Sequence, residues 1–304
     1  MERETREKLQ ALEELLDSWK SVAVGYSGGV DSTFLAAVCA RAVPSRAVLM
    51  HIETPFSATP ELVSVERAAE SGQSAFGLPL IAVPLDPFSL ENVVRNDENR
   101  CYYCKRVGFS AILAEARARG IEVVVDGSNA DDAGDYRPGM RALEELGVRS
   151  PLLETGWHKD EERALLREWG IPVWGMPAGA CLATRIPCGE PLTERRLAAV
   201  RACEDYLHEL GLHQVRARLI EGSLQVEVSS EDLRVLASAG DPADASGGSS
   251  APHEKGAWHG EGAPSEEGAR HVALPEEMRA HLAGCVDGEV NPYVVLYSKG
   301  SMNR

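Results

Sequence analysis

Short apolar runs alternate with longer segments of helical periodicity from about residue 21 to residue 175, and this alternation limits the folds open to the chain. The apolar runs cover residues 21–25, 47–52, 80–83 and 122–126, and the helical patterns cover 4–19, 33–41, 60–76, 107–119, 143–146 and 160–169. Strand and helix patterns that alternate in this way are typical of a parallel sheet with helices on both faces. The pattern therefore predicts an α/β, Rossmann-like fold for this region.

A second and smaller α+β module is predicted after this region. Residues 193–210 have helical spacing with Thr193 as the expected N-cap, and residues 214–220 and 224–228 alternate like two strands of a hairpin. A helix at 275–282 and a strand at 293–297 follow. Gly, Ala, Ser and Pro supply 21 of the 32 residues at 239–270, a composition typical of a flexible insertion with little to bury. We expect one domain at 1–178 and a second at 179–304, interrupted by this insertion.

The charge of the chain excludes some classes of partner. The 31 Lys and Arg residues against 47 Asp and Glu residues give a formal net charge of −16, which repels nucleic acids and anionic membranes. The seven cysteines are odd in number and too sparse for a secreted disulfide scaffold, and no apolar leader or membrane-spanning stretch is found. We therefore expect a cytoplasmic protein whose partners are neither nucleic acid nor membrane.

The sharpest local signal is the string SGGVDS at 27–32, between a predicted strand and a predicted helix. Gly28 and Gly29 let the backbone approach a ligand closely, Ser27 and Ser32 supply hydroxyl donors, and the following helix presents free N–H groups and the positive end of its dipole. These features favour a phosphate site. The alternative is an ordinary Gly-rich turn in which Asp31 and Ser32 begin a helix.

Two further segments place polar groups near this site. In NRCYYCK at 99–105, Arg100 and Lys105 set cations beside a CxxC pair, which is either a redox pair, half of a zinc site or two small buried residues. The string DGSNADD at 126–132, which includes Gly127 and Asp131, follows the fourth strand, at the edge where α/β sheets bind ligands. We expect a nucleotide or Mg²⁺ role for this loop, the alternative being a solvated loop.

Three cysteines, Cys181, Cys188 and Cys203, follow in a Gly- and Pro-containing loop and on the next helix. Three thiolates can cap three irons of a cubane cluster, and Arg185 would lower the pKa of a nearby thiol. Cys203 also fits the apolar stripe of its helix, so its alternative role is that of a small core residue.

The predicted hairpin carries two more arginines. Arg216 and Arg218 alternate on one strand face, which suits a clamp for phosphate or carboxylate, the alternative being two solvent-facing arginines on an edge strand. Glu204 and Glu227 are interpreted as ordinary surface carboxylates.

The string SGGVDS is similar to the PP-loop of the ATP pyrophosphatases, the adenylating group that includes GMP synthetase, NAD synthetase and the tRNA thiolases. That resemblance implies cleavage of ATP between its α and β phosphates, with Mg²⁺ as the accompanying cation. Ser27, Gly28, Gly29, Asp31 and Ser32 would hold the pyrophosphate, and we assign Gly127 and Asp131 to the same nucleotide site.

A wider set of motifs resembles one PP-loop family. These motifs are NRCYYCK at 99–105, DGSNADD at 126–132, DYRPG at 135–139, CLATRIPCGE at 181–190 and SKGSM at 298–302. Together they are similar to the LarE family of ATP-dependent sulfur transferases, which act in the synthesis of the nickel-pincer nucleotide of lactate racemase. The resemblance implies adenylation of the carboxylates of pyridinium-3,5-biscarboxylic acid mononucleotide, followed by their conversion to thiocarboxylates.

The family implies two sources of sulfur. In one branch a sacrificial cysteine, here Cys181, becomes dehydroalanine. In the other, three cysteines hold a [4Fe-4S] cluster, and we favour this branch because Cys188 and Cys203 accompany Cys181. Catalytic roles then fall to Cys181 and Arg185.

Substrate contacts fall to Arg100, Lys105, Arg137, Arg216 and Arg218. The resemblance also implies a homo-oligomer, and a sulfur-donor protein could reload the cluster. The alternatives are a PP-loop tRNA thiolase, which the net charge disfavours, and a nucleotide or redox sensor that is not an enzyme.

Overall fold

The computed structural model describes residues 3–70, 76–132, 138–177, 179–239 and 271–297. The chain divides into two compact units, Met1–Cys181 and Leu182–Arg304. None of the helices in the described ranges is both long enough and apolar enough to cross a lipid bilayer.

The N-terminal unit contains a central sheet surrounded by helices. Its strands are β1 Val22–Gly25, β2 Ala47–Glu53, β3 Leu80–Pro84 and β4 Val123–Val125. Its helices are α1 Arg3–Asp17, α2 Val30–Ala42, α3 Thr59–Glu70, α4 Glu91–Val94, α5 Arg100–Ala118, α6 Pro138–Glu145, α7 Pro151–Glu154 and α8 Lys159–Glu168. Short 3-10 turns cover Pro87–Ser89, Ala130–Asp132 and Pro172–Gly175.

The four strands pair in the order β3-β2-β1-β4, and every pair is parallel. Val22 of β1 pairs with Ala47 of β2 on one side and with Val123 of β4 on the other. The chain builds the sheet outward from β1 in one direction and then returns to place β4 on the opposite side. The loops after β1 and β4 therefore meet where the strand order reverses, which is the position at which α/β sheets bind ligands.

Alternate strand residues face two separate apolar layers. Val24 and Leu49 pack with Phe34 of α2 and with Trp157 in one buried cluster. Ala23, Met50 and Val124 pack with Phe109 and Ile112 of α5 in another buried cluster. Successive strand side chains point to opposite faces, so a strand buried on both faces reads as a continuous apolar run. The predicted parallel sheet with helices on both faces is confirmed.

The C-terminal unit is an α+β module with a mixed sheet. Its helices are α9 Glu194–Glu209, α10 Ser230–Ala239 and α11 Glu276–Cys285, and its strands are β5 Val215–Ile220, β6 Ser223–Val228, β7 His271–Ala273, β8 Glu289–Val290 and β9 Tyr293–Leu296. The sheet order is β5-β6-β9-β7, with β8 also paired to β6. The predicted hairpin is confirmed as antiparallel β5 and β6, joined through Glu221 and Gly222, which both have positive φ.

Two boundaries differ from the sequence-based expectations. Helix α2 begins at Val30 rather than residue 33, and α5 begins at Arg100 rather than residue 107, so the CxxC pair lies in the first turns of a helix. The Thr193 N-cap is confirmed, since its hydroxyl accepts a hydrogen bond from the Arg196 N–H. The predicted insertion at 239–270 lies outside the described residues, except for Ala239 at the end of α10.

Candidate functional site

The loop after β1 has a backbone that only glycine fits at one position. Gly28 has a φ of +83°, and a Cβ atom added there would lie 2.5 Å from the backbone oxygen of Glu61. That distance is far below an ordinary contact, and the clash is with backbone rather than with a flexible side chain. The first glycine of the motif, Gly28, therefore permits the close approach between this loop and α3.

The same loop presents donors at the start of α2. The hydroxyls of Ser27 and Ser32 lie 3.0 Å apart, and the Ser27 N–H donates to the Ser32 hydroxyl at 3.2 Å. The N-cap of α2 is Gly29, and no side chain caps the helix. Its first-turn N–H groups and the positive end of the helix dipole are thus available to an anion. We call residues 26–32 the phosphate cradle.

The loop after β4 packs directly against the cradle. A Cβ added to Gly127 would lie 3.0 Å from the Ser32 backbone nitrogen, so glycine permits this approach. Asp126, the residue before it, accepts hydrogen bonds from Ser128 at 2.5 Å and Ser150 at 2.6 Å, and the Lys105 ammonium lies 3.7 Å away. The sequence-predicted groups of the two loops are therefore brought together at the reversal of strand order.

The contacts of Asp131 differ from those of the expected nucleotide-binding role. Its carboxylate is bonded to His158 Nδ1 at 2.6 Å and accepts the Lys159 backbone N–H at 2.9 Å, so it anchors the start of α8. These bonds, led by the one with His158, hold the pKa of Asp131 below its ordinary value. The neighbouring Asp132, rather than Asp131, contributes to the wall of the cavity described next. Spacing along the loop could not distinguish the two.

A cavity of about 420 Å³ opens beside the cradle, within the N-terminal unit. Its polar end includes Ser27, Asp31, Ser32 and Gly127, and its apolar wall includes Met50, Ile52, Phe56, Leu85 and Phe109. This volume lies in the range of small-molecule sites, and one polar end with one apolar wall suits a nucleotide.

Two thiols of the N-terminal unit, Cys104 and Cys181, line this cavity. Cys101 precedes Cys104 by one turn of α5. The charges of Cys181 and Cys101 both act on Cys104, and burial, followed by those two charges, raises the pKa of Cys104 to about 12. Burial lowers the pKa of Arg100, but the charges of Cys101 and Cys181 outweigh that effect, so its pKa lies above its ordinary value. Sequence reasoning identified the CxxC pair and Cys181 separately and did not group them.

In the C-terminal unit, Arg216 and Arg218 are buried on one face of β5, with 7% and 4% of their surface exposed. The Arg218 guanidinium lies 2.8 Å from the Glu227 carboxylate and donates to the Thr184 carbonyl at 2.8 Å. Arg216 donates to the Val215 carbonyl at 2.9 Å. The alternative of two solvent-facing arginines is therefore wrong, and so is the interpretation of Glu227 as a surface carboxylate.

Arg185 and Glu204 form a second buried ion pair in this unit. Arg185 Nε and Nη2 donate to the two carboxylate oxygens of Glu204 at 2.7 and 2.9 Å, and the Ala217 N–H donates to the same carboxylate at 2.9 Å. Arg185 is 0% exposed and Glu204 only 3%. Glu204 is therefore not a surface carboxylate either. It neutralises the positive charge of Arg185, which was expected to lower the pKa of a nearby thiol.

The other two predicted cluster cysteines have unlike surroundings. Cys188 is exposed, whereas Cys203 is fully buried on α9. Burial, followed by the neighbouring Cys285, raises the pKa of the Cys203 thiol. A buried thiol that keeps its proton fits the core role left open from the sequence. Across the described ranges, no group of three or more His, Cys, Asp or Glu side chains is arranged to hold a metal ion. Arg137 and the SKGSM motif lie outside the described residues.

Comparison with known proteins gives relatives over most of the chain. The protein slr1717 of Synechocystis sp. is 35% identical over 75% of this chain and 83% of its own length. The pyridinium-3,5-bisthiocarboxylic acid mononucleotide synthase of Lactiplantibacillus plantarum is 32% identical over 70% of this chain and 76% of its own length. A tRNA(Ile)-lysidine synthase of Polaromonas naphthalenivorans is 29% identical over 71% of this chain and 67% of its own length. No family model matches the chain.

Proposed function

Since this chain belongs to the LarE family of ATP-using sulfurtransferases, as its similarity to the pyridinium-3,5-bisthiocarboxylic acid mononucleotide synthase shows, we propose that it adenylates the carboxylates of pyridinium-3,5-biscarboxylic acid mononucleotide and converts them to thiocarboxylates. The observation that carries this proposal is the phosphate cradle of a family member, placed where the strand order of an α/β sheet reverses. The product serves the nickel-pincer nucleotide pathway.

The phosphate cradle suits the adenylation step of the proposed reaction. A substrate carboxylate attacks the α phosphorus of ATP, pyrophosphate leaves, and an acyl adenylate forms. The uncapped N–H groups of α2 and the hydroxyls of Ser27 and Ser32 stabilise the charge on the departing pyrophosphate. ATP brings Mg²⁺ with it, since this ion binds largely through substrate phosphates. The apolar wall that includes Phe56 and Phe109 receives the rest of the nucleotide.

Arg100 and Lys105 are the cations of the N-terminal unit that we propose for the dicarboxylate substrate. Lys105 lines the cavity, and Arg100 begins the helix that carries the CxxC pair. Arg216 and Arg218 are buried side by side in the C-terminal unit, where a carboxylate or phosphate gains more from a cation than it does in water. We retain Arg137, which lies outside the described residues, as a proposal from the sequence.

Cys181 is the thiol we propose for the sulfur-transfer step. In the sacrificial route its thiolate displaces AMP from the acyl adenylate and forms a thioester. Removal of the Cα proton then breaks the Cβ–S bond, which leaves a thiocarboxylate on the substrate and dehydroalanine on the protein. Arg100 stabilises the thiolate form, since the charges of Cys181 and Arg100 act on each other.

A [4Fe-4S] cluster is our proposal for a reusable sulfur source. Among the residues that the structure describes, no group of three or more His, Cys, Asp or Glu side chains is arranged to hold a metal. Burial raises the pKa of Cys203 in the predicted set of Cys181, Cys188 and Cys203, and it raises the pKa of Cys104 as well. We prefer the set of Cys101, Cys104 and Cys181, because Cys104 and Cys181 line the same cavity and Cys101 precedes Cys104 by one turn of α5.

Iron binding distinguishes the two sets. After anaerobic reconstitution we expect the wild type to hold about four irons per chain. We expect the C101A/C104A variant to lose that iron and the matched C188A/C203A variant to keep it. The reverse pattern would restore the predicted set. Wild-type protein that binds no iron, with dehydroalanine detected at Cys181 by mass spectrometry after turnover, would establish the sacrificial route.

The similarity to a tRNA(Ile)-lysidine synthase keeps tRNA modification as a second candidate function. The net charge of −16 argues against it, because tRNA binders carry a basic face. Tight and salt-sensitive tRNA binding would favour this candidate. We further propose a homo-oligomer, which sedimentation tests, and a sulfur-donor protein that reloads the site between turnovers.

A further inference from the structure

Glu162 of α8 is a buried carboxyl group to which the proposed reaction gives no role. Its exposed fraction is 0%, and its Oε1 accepts a hydrogen bond from the Asn129 side chain at 3.0 Å. Its Oε2 is buried and finds no hydrogen-bond partner among the described residues. A fully buried carboxyl oxygen without a hydrogen-bond partner costs free energy, so the lack of a donor for Oε2 needs a physical explanation.

Asp31 of the phosphate cradle resembles Glu162 in its hydrogen bonding. Its Oδ1 is also buried and without a partner in the described part of the chain, while its Oδ2 lies 3.2 Å from the Lys159 ammonium. The two carboxyl groups lie within hydrogen-bonding reach of each other. Two ionised carboxylates cannot satisfy each other, because both are acceptors. One proton between them satisfies both orphaned oxygens.

The surroundings determine which group carries that proton. Asp31 lies in the first turn of α2, where the helix dipole favours a negative charge, and Lys159 stabilises the same charge. Glu162 is fully buried and receives one neutral amide donor from Asn129. Burial, followed by the charge and hydrogen bond of Asp31, raises the pKa of Glu162 to about 9, against a smaller opposing effect of Asn129 and Lys159. Glu162 is therefore the proton donor at neutral pH.

We propose that Glu162 is a positioning residue for the phosphate cradle: its carboxyl proton is donated to Asp31 and holds the Asp31 carboxylate against Lys159 at the start of α2. The inference rests on the proposed function, because the ligand it serves is the polyphosphate of ATP. The shared proton keeps one negative charge instead of two beside that polyphosphate. It also fixes Asp31 in one orientation, so the first-turn N–H groups remain open to the phosphates.

The test compares Glu162→Gln with the wild type by calorimetric binding of ATP and of inorganic pyrophosphate. The glutamine amide keeps a donor toward Asp31 and an acceptor toward Asn129, and it does not titrate. We expect wild-type affinity to fall about tenfold between pH 8 and pH 10, as the binding-competent protonated fraction falls. We expect E162Q to lack this fall. Lys159 and Lys105 are present in both proteins, so their effect on binding is common to both and cancels in the comparison.

Two further variants separate positioning from general stability. Glu162→Ala should weaken ATP binding about tenfold or more, with a larger change in KM than in kcat. Glu161→Gln is the matched control on the same helix, where the native side chain pairs with Lys8 instead, and it should leave ATP affinity unchanged. If E162A does not fold, the pH comparison with E162Q carries the test alone.

Failure of this inference differs from failure of the proposed function. Binding of ATP by both proteins with the same loss of affinity above pH 8 would overturn the role of Glu162 alone. Folded wild-type protein that binds neither ATP nor pyrophosphate at any pH would overturn the proposed function, and the inference with it.

Discussion

The buried pair of Arg185 and Glu204 distinguishes a structural arginine from one that activates a thiol. Both guanidinium contacts are short, both residues are at most 3% exposed, and the Ala217 N–H also bonds to the carboxylate. Replacing Arg185 by Met would leave the Glu204 charge buried without its cation. Breaking a buried pair from one side costs about 3–5 kcal/mol, a large part of the 5–15 kcal/mol that keeps a typical domain folded.

Urea denaturation followed by far-ultraviolet circular dichroism measures this cost, and hydrogen exchange of α9 and β5 peptides assigns it to the C-terminal unit. The double variant R185M/E204Q should recover most of the loss, because no unpaired charge remains and the glutamine oxygen still accepts the Ala217 N–H. Arg195→Met is the control, because its partner Asp287 and Arg195 itself are largely exposed, and such pairs contribute about 0–1 kcal/mol.

A different result would refute the structural role of Arg185. If Arg185→Met changes stability no more than Arg195→Met does, the pair is not an anchor of the unit. If that variant also slows alkylation of Cys181, the thiol-activating role inferred from the sequence would stand instead.

Two further outcomes test the cradle and the thiols. Gly28→Ala should abolish ATP binding, because its Cβ would lie 2.5 Å from a backbone oxygen at a φ of +83°; Gly120→Ala has a φ of +71° but open space, so it should show the cost of backbone strain alone. In the native protein at pH 8, iodoacetamide should label the exposed Cys101 and Cys181 well before Cys104, whose pKa is raised to about 12 by burial. Peptide mass spectrometry measures the order, and faster labelling of Cys104 would contradict it.

The sheet and its ligand edge could be predicted from the sequence because each depends on local pattern. Strands buried on both faces are continuous apolar runs. The cradle is one contiguous string in which the backbone requires glycine at Gly28, and Gly127 of the neighbouring loop permits the close approach to Ser32. The order of the strands could not be predicted in the same way, because α/β folds with this pattern adopt more than one strand order.

The groups missed from the sequence depend on burial and on contacts between distant segments. The partner of Glu162 is Asp31, which lies on another helix, and no spacing connects the two. From the sequence alone, Glu204 and Glu227 resemble surface carboxylates. In the structure each is buried and pairs with a buried arginine. Cys104 of the CxxC pair and Cys181 line the same cavity, and they come together only once the N-terminal unit has folded.

Exchange of radiolabelled pyrophosphate into ATP tests the central claim most directly, because it reports adenylation without requiring the sulfur source. The account requires exchange that depends on pyridinium-3,5-biscarboxylic acid mononucleotide and that Gly28→Ala abolishes. Exchange that proceeds equally without this substrate, or that tRNA supports in its place, would contradict the account.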